Sequence, residues 1–125
     1  MLDYAAAHNW VSDGSVSYNI QVGDLTLTAS WEGDSINGVF YTDWRFYQAR
    51  GGGMTISVPA GHELMKATFT YSISKTGVLL GPDGSQVPSG TECALSGQAA
   101  MFTVGNTGTV TNGQVRFTKI VVQYK

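Results

Sequence analysis

Several residue types on which small folds often depend are scarce in this sequence. Its 125 residues include one cysteine, three prolines and two histidines. Because Cys93 has no partner for an intrachain disulfide, a hydrophobic core must stabilise the fold, and 125 residues are enough to build one. No apolar run approaches the roughly 20 residues of a membrane-spanning helix. The sequence therefore predicts a single domain over residues 1–125, with no insertion into a membrane.

Charged residues are also scarce. They make up 13% of the chain, against a usual share of about 25%. The formal net charge is -2, and the seven lysines and arginines are scattered. A nucleic-acid-binding surface needs clustered basic residues, and a membrane-binding surface needs a basic stripe. We therefore expect neither nucleic acid nor a membrane among the partners of this chain.

The N-terminal residues indicate where the chain acts. Met1-Leu2-Asp3-Tyr4 lacks the basic and then apolar pattern of a signal peptide. The chain is therefore either intracellular or a segment of a longer exported precursor. We favour the second interpretation, which predicts a secreted or cell-surface location within a larger multidomain protein.

Two-residue alternation is the dominant pattern of the sequence. In residues 65–73 the odd positions are Met, Ala, Phe, Tyr and Ile, whereas the even positions are Lys, Thr, Thr and Ser. Since successive side chains of a strand point to opposite faces, this pattern predicts a half-buried strand. The alternation recurs in residues 16–22, 25–31 and 54–58, and Trp31 is in phase with the apolar core set of its segment.

Turn signals at short intervals, with no helical period over three turns, predict an all-β fold. Eight or nine strands are expected to form a two-sheet antiparallel β-sandwich, for which a jelly roll is favoured over an immunoglobulin-like arrangement. Residues 1–14 are expected to be an irregular lead-in, with one weak helical turn at 4–10. Residues 91–95 and 100–104 are expected to pair as a hairpin.

The last predicted strand, residues 114–124, changes phase along its length. The apolar residues are Val and Phe at positions 115 and 117, but Ile, Val and Tyr at positions 120, 122 and 124. One extra residue near Thr118-Lys119 would bring all five to the core side. We therefore predict a β-bulge there.

Five segments carry a resemblance to a known kind of domain. Residues 37–41, 44–47, 53–59, 66–71 and 115–124 together resemble a β-sandwich accessory module that recurs in secreted and surface proteins of gut anaerobes. The resemblance extends from about Val16 to Tyr124. Such modules are often attached to carbohydrate-active enzymes or adhesins. The resemblance therefore implies a jelly-roll-like domain similar to carbohydrate-binding modules, and it identifies no binding residues.

The densest aromatic segment, residues 39–48, is the best candidate for a binding surface. Trp and Tyr rings can stack on the C–H faces of pyranose sugars, while Arg and Gln side chains hold the hydroxyl groups. Exposed aromatic patches usually mark binding sites. The candidate ligand-binding residues are Tyr41, Trp44, Arg45, Tyr47, Gln48 and Arg50.

Each of these residues also has a structural interpretation. Aromatic side chains commonly fill the core of a sandwich, and Arg45 would then form an ion pair with Asp43 or another carboxylate. Trp44 and Phe46 share one parity, whereas Arg45 and Tyr47 share the other. A half-buried strand would therefore expose Arg45 and Tyr47.

The sequence contains no catalytic signature. His8 and His62 have no recognisable Ser and Asp partners, and Gly51-Gly52-Gly53 lacks the Lys and the helix of a phosphate-binding loop. Cys93 shares a face with Leu95 and is expected to be a buried, inert thiol. We therefore expect a protein that is not an enzyme.

No cofactor is predicted either, and the signal for a structural calcium ion is weak. Glu32, Asp34 and Asn37, or Asp83, offer the oxygen ligands that calcium prefers. No run has the ligand spacing of an EF-hand, and ordinary turn chemistry explains these residues better.

Together these patterns predict a non-catalytic carbohydrate-binding module of an extracellular or cell-surface protein, with a polysaccharide as its partner. The alternative is a structural or adhesive β-sandwich that mediates contacts between proteins or domains. The two hypotheses differ in whether the aromatic segment forms a surface or belongs to the core.

Overall fold

The computed structural model describes residues 3–8, 19–30, 38–40, 43–47, 52–108 and 113–125. These residues form eleven strands and no helix, so none of them lies in a helix that could span a membrane. The all-β prediction is confirmed, with more strands than expected. In chain order the strands are β1 (Asp3–His8), β2 (Asn19–Val22), β3 (Leu25–Ser30), β4 (Gly38–Phe40), β5 (Asp43–Tyr47), β6 (Gly53–Ser57), β7 (Leu64–Ser74), β8 (Gly77–Leu80), β9 (Glu92–Ala94), β10 (Ala99–Asn106) and β11 (Gln114–Tyr124).

The strands form two antiparallel sheets that pack face to face as a β-sandwich. The six-stranded sheet has the order β4-β5-β11-β7-β9, and β1 also pairs with β11. The five-stranded sheet has the order β2-β3-β6-β10-β8. The predicted two-sheet antiparallel sandwich is confirmed, while the preference for a jelly roll stays a prediction.

Aromatic and aliphatic side chains from both sheets form one core. The rings of Phe69 in β7 and Phe102 in β10 lie 4.7 Å apart between their centroids, so they join the two sheets directly. Leu25, Leu27 and Ala29 are buried as predicted. Trp31, which was expected beside them, lies outside the described residues.

Strand β11 is the central element of the six-stranded sheet and contains the predicted bulge. Phe117 pairs with Tyr71, whereas Lys119 pairs with Thr70, so Thr118 is the extra residue. The side chains at positions 115, 117, 120, 122 and 124 are all buried. The bulge prediction is therefore confirmed, because an inserted residue restores the inward phase of the second half of the strand.

Residues 3–8, within the lead-in that was expected to be irregular, form a strand. Asp3–His8 form β1, which pairs with β11 from Tyr124 to Lys119, so the weak helical turn predicted at residues 4–10 is wrong. Strand β5 pairs only with the first half of β11, from Gln114 to Phe117. Without β1, the backbone N–H and C=O groups along this edge of the second half of β11 would be unpaired. β1 provides their hydrogen-bond partners.

The hairpin predicted for residues 91–95 and 100–104 is also wrong. β9 pairs with β7 in the six-stranded sheet, whereas β10 pairs with β6 and β8 in the five-stranded sheet. The intervening residues carry the chain from one sheet to the other, with backbone hydrogen bonds from Val58 to Gln98 and from Leu64 to Gly97. A turn signal marks where a strand ends, but it does not specify which strand its neighbour will pair with.

Candidate functional site

Two arginines face each other across neighbouring strands of the six-stranded sheet. Arg45 of β5 and Arg116 of β11 occupy directly opposite positions in the antiparallel register. Val115 and Phe117, which flank Arg116, are buried in the core, and so is Phe46. Since side chains alternate along a strand, both arginines belong to the outer face of the sheet. Side chains at such opposite positions have Cβ atoms about 5 Å apart.

Polar residues extend this surface across the sheet. Ser72 of β7 lies opposite Arg116 on its other side, and Gln114 lies two residues from Arg116 along β11. Arg45 and Arg116 are half-buried, whereas Ser72 is exposed. We refer to Arg45, Arg116, Gln114 and Ser72 as the arginine face.

The guanidinium of Arg116 is only partly satisfied within the described part of the chain. Its Nη2 donates a hydrogen bond to Oε1 of Gln114 at 3.0 Å. Its Nε is buried and has no hydrogen-bond partner among the described residues. The ion pairs found there join His62 to Asp24, Lys66 to Glu92 and Lys125 to Glu63, and none of them involves Arg116.

The structure describes the backbone of some of the sequence-predicted site residues and leaves out others. Trp44 lies opposite Phe117 in the register, and Tyr47 lies opposite Gln114, next to the arginine face. Tyr41, Gln48 and Arg50 lie outside the described residues. The assignment of these five residues and Arg45 to a binding site stays a prediction.

Charged residues of the described strands are confined to one sheet. Strands β2, β3, β6, β8 and β10 contain no Asp, Glu, Lys or Arg. The outer face of this five-stranded sheet is instead rich in hydroxyl groups, with Thr26 opposite Ser57 and Thr28 opposite Thr55. The six-stranded sheet holds all the charged strand residues, which are Asp3, Asp43, Arg45, Lys66, Glu92, Arg116 and Lys119.

An open groove lies at one end of the sandwich, beside Ser72. It has a volume of about 380 Å³ and is lined by Tyr71, Ile73, Val78, Pro88 and others. Alternation predicts that Ile73 points to the core, but its side chain is 54% exposed and lines the groove. Volumes of this size fall within the range of small-molecule sites.

Tyr71 connects this groove to the core. Its hydroxyl donates a hydrogen bond to the carbonyl oxygen of Val87 at 2.5 Å, and its backbone N–H donates to Oγ of Ser89 at 3.0 Å. Burial raises the pKa of the Tyr71 hydroxyl above its ordinary value, because the anionic form is poorly solvated. The wall of the groove is therefore held to β7 by directed bonds.

A second cleft, of about 260 Å³, contains Cys93 and Asp83. Burial raises the pKa of the Cys93 thiol, and the charge of Asp83 raises it further. A raised pKa lowers the thiolate fraction, which agrees with the inert thiol predicted from sequence, although Cys93 is half-buried and not fully buried.

The described residues give little support to a metal centre. They contain no group of three or more His, Cys, Asp and Glu side chains that could hold an ion. The carboxylate of Asp83 accepts hydrogen bonds from the N–H and the hydroxyl of Ser85 at 3.0 and 3.1 Å, and these bonds lower its pKa. This is turn chemistry. Glu32, Asp34 and Asn37 lie outside the described residues, so the weak calcium prediction is untested at that loop.

Sequence reasoning did not identify Arg116 or the groove. The Val-Arg-Phe pattern at positions 115–117 was sufficient to assign Arg116 to the outer face. Its proximity to Arg45 depends on the pairing of β5 with β11, which joins residues about 70 positions apart in the chain. The exposure of Ile73 could not be predicted from sequence, because its position in the two-residue alternation is that of a core residue.

The comparisons with known proteins do not define a family. The chain has no significant match among protein-family models, curated proteins or solved structures. The fold class therefore rests on the structure itself, and the resemblance to the accessory modules of gut anaerobes stays a prediction.

Proposed function

We propose that this domain is a non-catalytic carbohydrate-binding module of a secreted or cell-surface protein. In this proposal, a polysaccharide lies across the outer face of the six-stranded sheet, over β5 and β11. Arg45 and Tyr47 would contribute from β5, together with Tyr41, Gln48 and Arg50 of the flanking segments, whereas Trp44 has the opposite parity to Arg45.

The observation that supports this proposal is the cross-strand pair of Arg45 and Arg116. Arg45 and Arg116 occupy directly opposite positions in the register, so the outer face of the sheet has two guanidinium groups, each with several N–H donors, close together. Arginine, glutamine and serine side chains are suitable donors and acceptors for sugar hydroxyls, and the arginine face combines all three. Its neighbour in the register, Tyr47, belongs to the segment that the sequence identifies as rich in aromatic residues.

Affinity gel electrophoresis and calorimetry against pectins, β-glucans, xylans and host glycans would test the proposal. We expect retention by at least one polysaccharide, and loss of retention in Arg45→Ala and Tyr47→Ala. Met101→Ala is the matched control, because Met101 is 53% exposed on the outer face of the other sheet. An absence of binding across the whole panel would contradict the proposal and favour a structural or adhesive module.

A further inference from the structure

We propose that the open edge of β7 binds an extended peptide of a partner protein. The peptide adds a short strand beside Tyr71 and Ile73 and places an aliphatic side chain in the groove. This inference goes beyond the proposed function, because it concerns an edge of the six-stranded sheet and not its outer face.

The chain itself covers only part of the β7 edge that points away from β11. β9 pairs with β7 at residues 66–68. Two further hydrogen bonds extend this contact: the N–H of Gly90 donates to the carbonyl oxygen of Phe69 at 2.8 Å, and the N–H of Tyr71 donates to Oγ of Ser89 at 3.0 Å. Before Ser89 the chain contacts the other sheet instead, where the N–H of Val87 donates to the carbonyl oxygen of Leu79 in β8.

The alternation of the backbone shows which groups remain open. Successive residues of a strand direct their N–H and C=O groups to alternate sides. Since Phe69 and Tyr71 direct theirs away from β11, Ile73 does the same. Among the described residues, neither the N–H and C=O of Ile73 nor the C=O of Tyr71 has a hydrogen-bond partner. Unpaired backbone groups on a sheet edge are a template for another strand.

The groove beside this edge is suited to an apolar side chain. The exposed side chain of Ile73 lines it together with Val78 of β8 and Pro88. None of the described residues that line the groove is charged. Because burial of an unpaired charge is costly, we expect the segment of the peptide that enters the groove to be uncharged and aliphatic.

The shape of this region favours a single peptide over a second copy of this chain. The groove is lined on one side by β7 and on the others by Val78, Thr107 and Pro88. The open part of the edge, from Tyr71 to Ile73, is only about 7 Å long at about 3.3 Å per residue. Edge-to-edge pairing of two sheets uses a long, flat edge. A single added strand needs only a few main-chain hydrogen bonds and a pocket for one of its alternate side chains.

Synthetic peptides test the strand addition. The probes are fluorescent heptapeptides with a lysine at each end and, between them, threonine alternating with valine, isoleucine, leucine or phenylalanine. Fluorescence anisotropy should show saturable binding of at least one probe, and its form with aspartate in place of the apolar residues should bind at least about tenfold more weakly. The absence of binding by every probe would overturn the inference.

N-methylation of the bound probe tests the backbone contacts. One form is methylated at the apolar residues and the other at the threonines, so each form loses the N–H groups of one edge of the peptide. The form that loses the edge facing β7 should bind at least about tenfold more weakly, and the other should change by less than about twofold. Equal binding of the two methylated forms and the parent probe would overturn strand addition.

Variants of Ile73 test the same contact from the protein. Ile73→Ala removes the apolar side chain and should weaken binding about tenfold. Ile73→Pro also removes the edge N–H and should weaken binding further, since proline is accepted on a strand edge that has no partner. Met101→Ala is the matched control, because Met101 is exposed and apolar but lies on the outer face of the other sheet, and the affinity should change by less than about twofold.

Thermal unfolding of each variant checks that the fold is retained, and the methylated probes test the same backbone contact without any change to the protein. Peptide binding that is unchanged in both Ile73 variants would overturn the role of this edge. Sedimentation of the protein alone tests the other occupant: a dimer that Ile73→Pro dissociates would identify a second copy of the chain and overturn the inference.

Discussion

The two sheets of the sandwich share one core but differ in their outer faces. In the described strands, the five-stranded sheet has no charged residue, and its outer face presents Thr and Ser side chains. The six-stranded sheet carries all the charged strand residues, including the opposed Arg45 and Arg116. The five-stranded sheet therefore pairs its described strands and packs one face into the core without ionic groups in those strands. On the other sheet, we propose that the arginine pair takes part in ligand binding.

Lys66 and Glu92 form an ion pair on the six-stranded sheet. Lys66 Nζ lies 2.9 Å from Glu92 Oε1, but both side chains are substantially exposed. Exposed pairs of this kind contribute little to folding, typically under about 1 kcal/mol. The sandwich thus gains most of its stability from the core that both sheets share.

The largest expected effect is a loss of that shared core. Phe69→Ala should destabilise the protein by about 3–5 kcal/mol, because Phe69 is fully buried and its ring contacts Phe102 of the opposite sheet. Denaturant unfolding would measure the change. Thr70→Ala, at the adjacent exposed position, should stay within about 0.5 kcal/mol. A loss below about 1 kcal/mol in Phe69→Ala would contradict the core described here.

Adding one carboxylate to the outer face of each sheet would test whether only one of the two faces binds the ligand. Ser72→Asp places an acid opposite Arg116, so it should occupy guanidinium donors that a polysaccharide would otherwise use and weaken glycan binding about tenfold. The same change should stabilise the fold by about 0.2–1 kcal/mol through the new cross-strand pair. Thr28→Asp adds the same charge to the outer face of the five-stranded sheet and should leave binding unchanged. If the two variants weakened binding equally, net charge alone would explain the effect.

Tyr71→Phe would test whether the groove contributes to glycan binding in addition to the arginine face. Loss of the hydrogen bond to Val87 should cost about 0.5–1.5 kcal/mol, with no change in glycan affinity. A fall in affinity would instead make the groove part of the binding site.

The same variant should also change the response to alkaline pH. The folded state raises the pKa of Tyr71 above its ordinary value of 10.0, so the unfolded chain loses this proton first. The stabilising contribution is complete below that ordinary value and is lost as the pH rises through the folded value. Unfolding measured from pH 9 upwards, over a range of about two units, should therefore fall less steeply in Tyr71→Phe than in the wild type.

The smallest effect is expected at the turn that links the two sheets. Lys75 and Thr76 join β7 to β8 with φ angles of 52° and 57°, a conformation that Asn tolerates better than Lys. Lys75→Asn should stabilise the protein by about 0.5 kcal/mol, as measured by denaturant unfolding. Lys75→Ala removes the same side chain without favouring positive φ and should give no gain. Equal stability of both variants would argue against strain at this turn.

Where the two-residue alternation is clear, the sequence alone was enough to predict the strand and the face that it buries. Two-residue alternation was sufficient for β3, β6 and the bulge at Thr118, because burial of one face is a local property of each strand. Only the tertiary structure decided which strands became neighbours. It placed β1 on the open half of β11, assigned β9 and β10 to different sheets, and set Arg116 opposite Arg45. The physical reason is that strand pairing joins residues far apart in the chain, and the pattern within a single strand does not specify its partner.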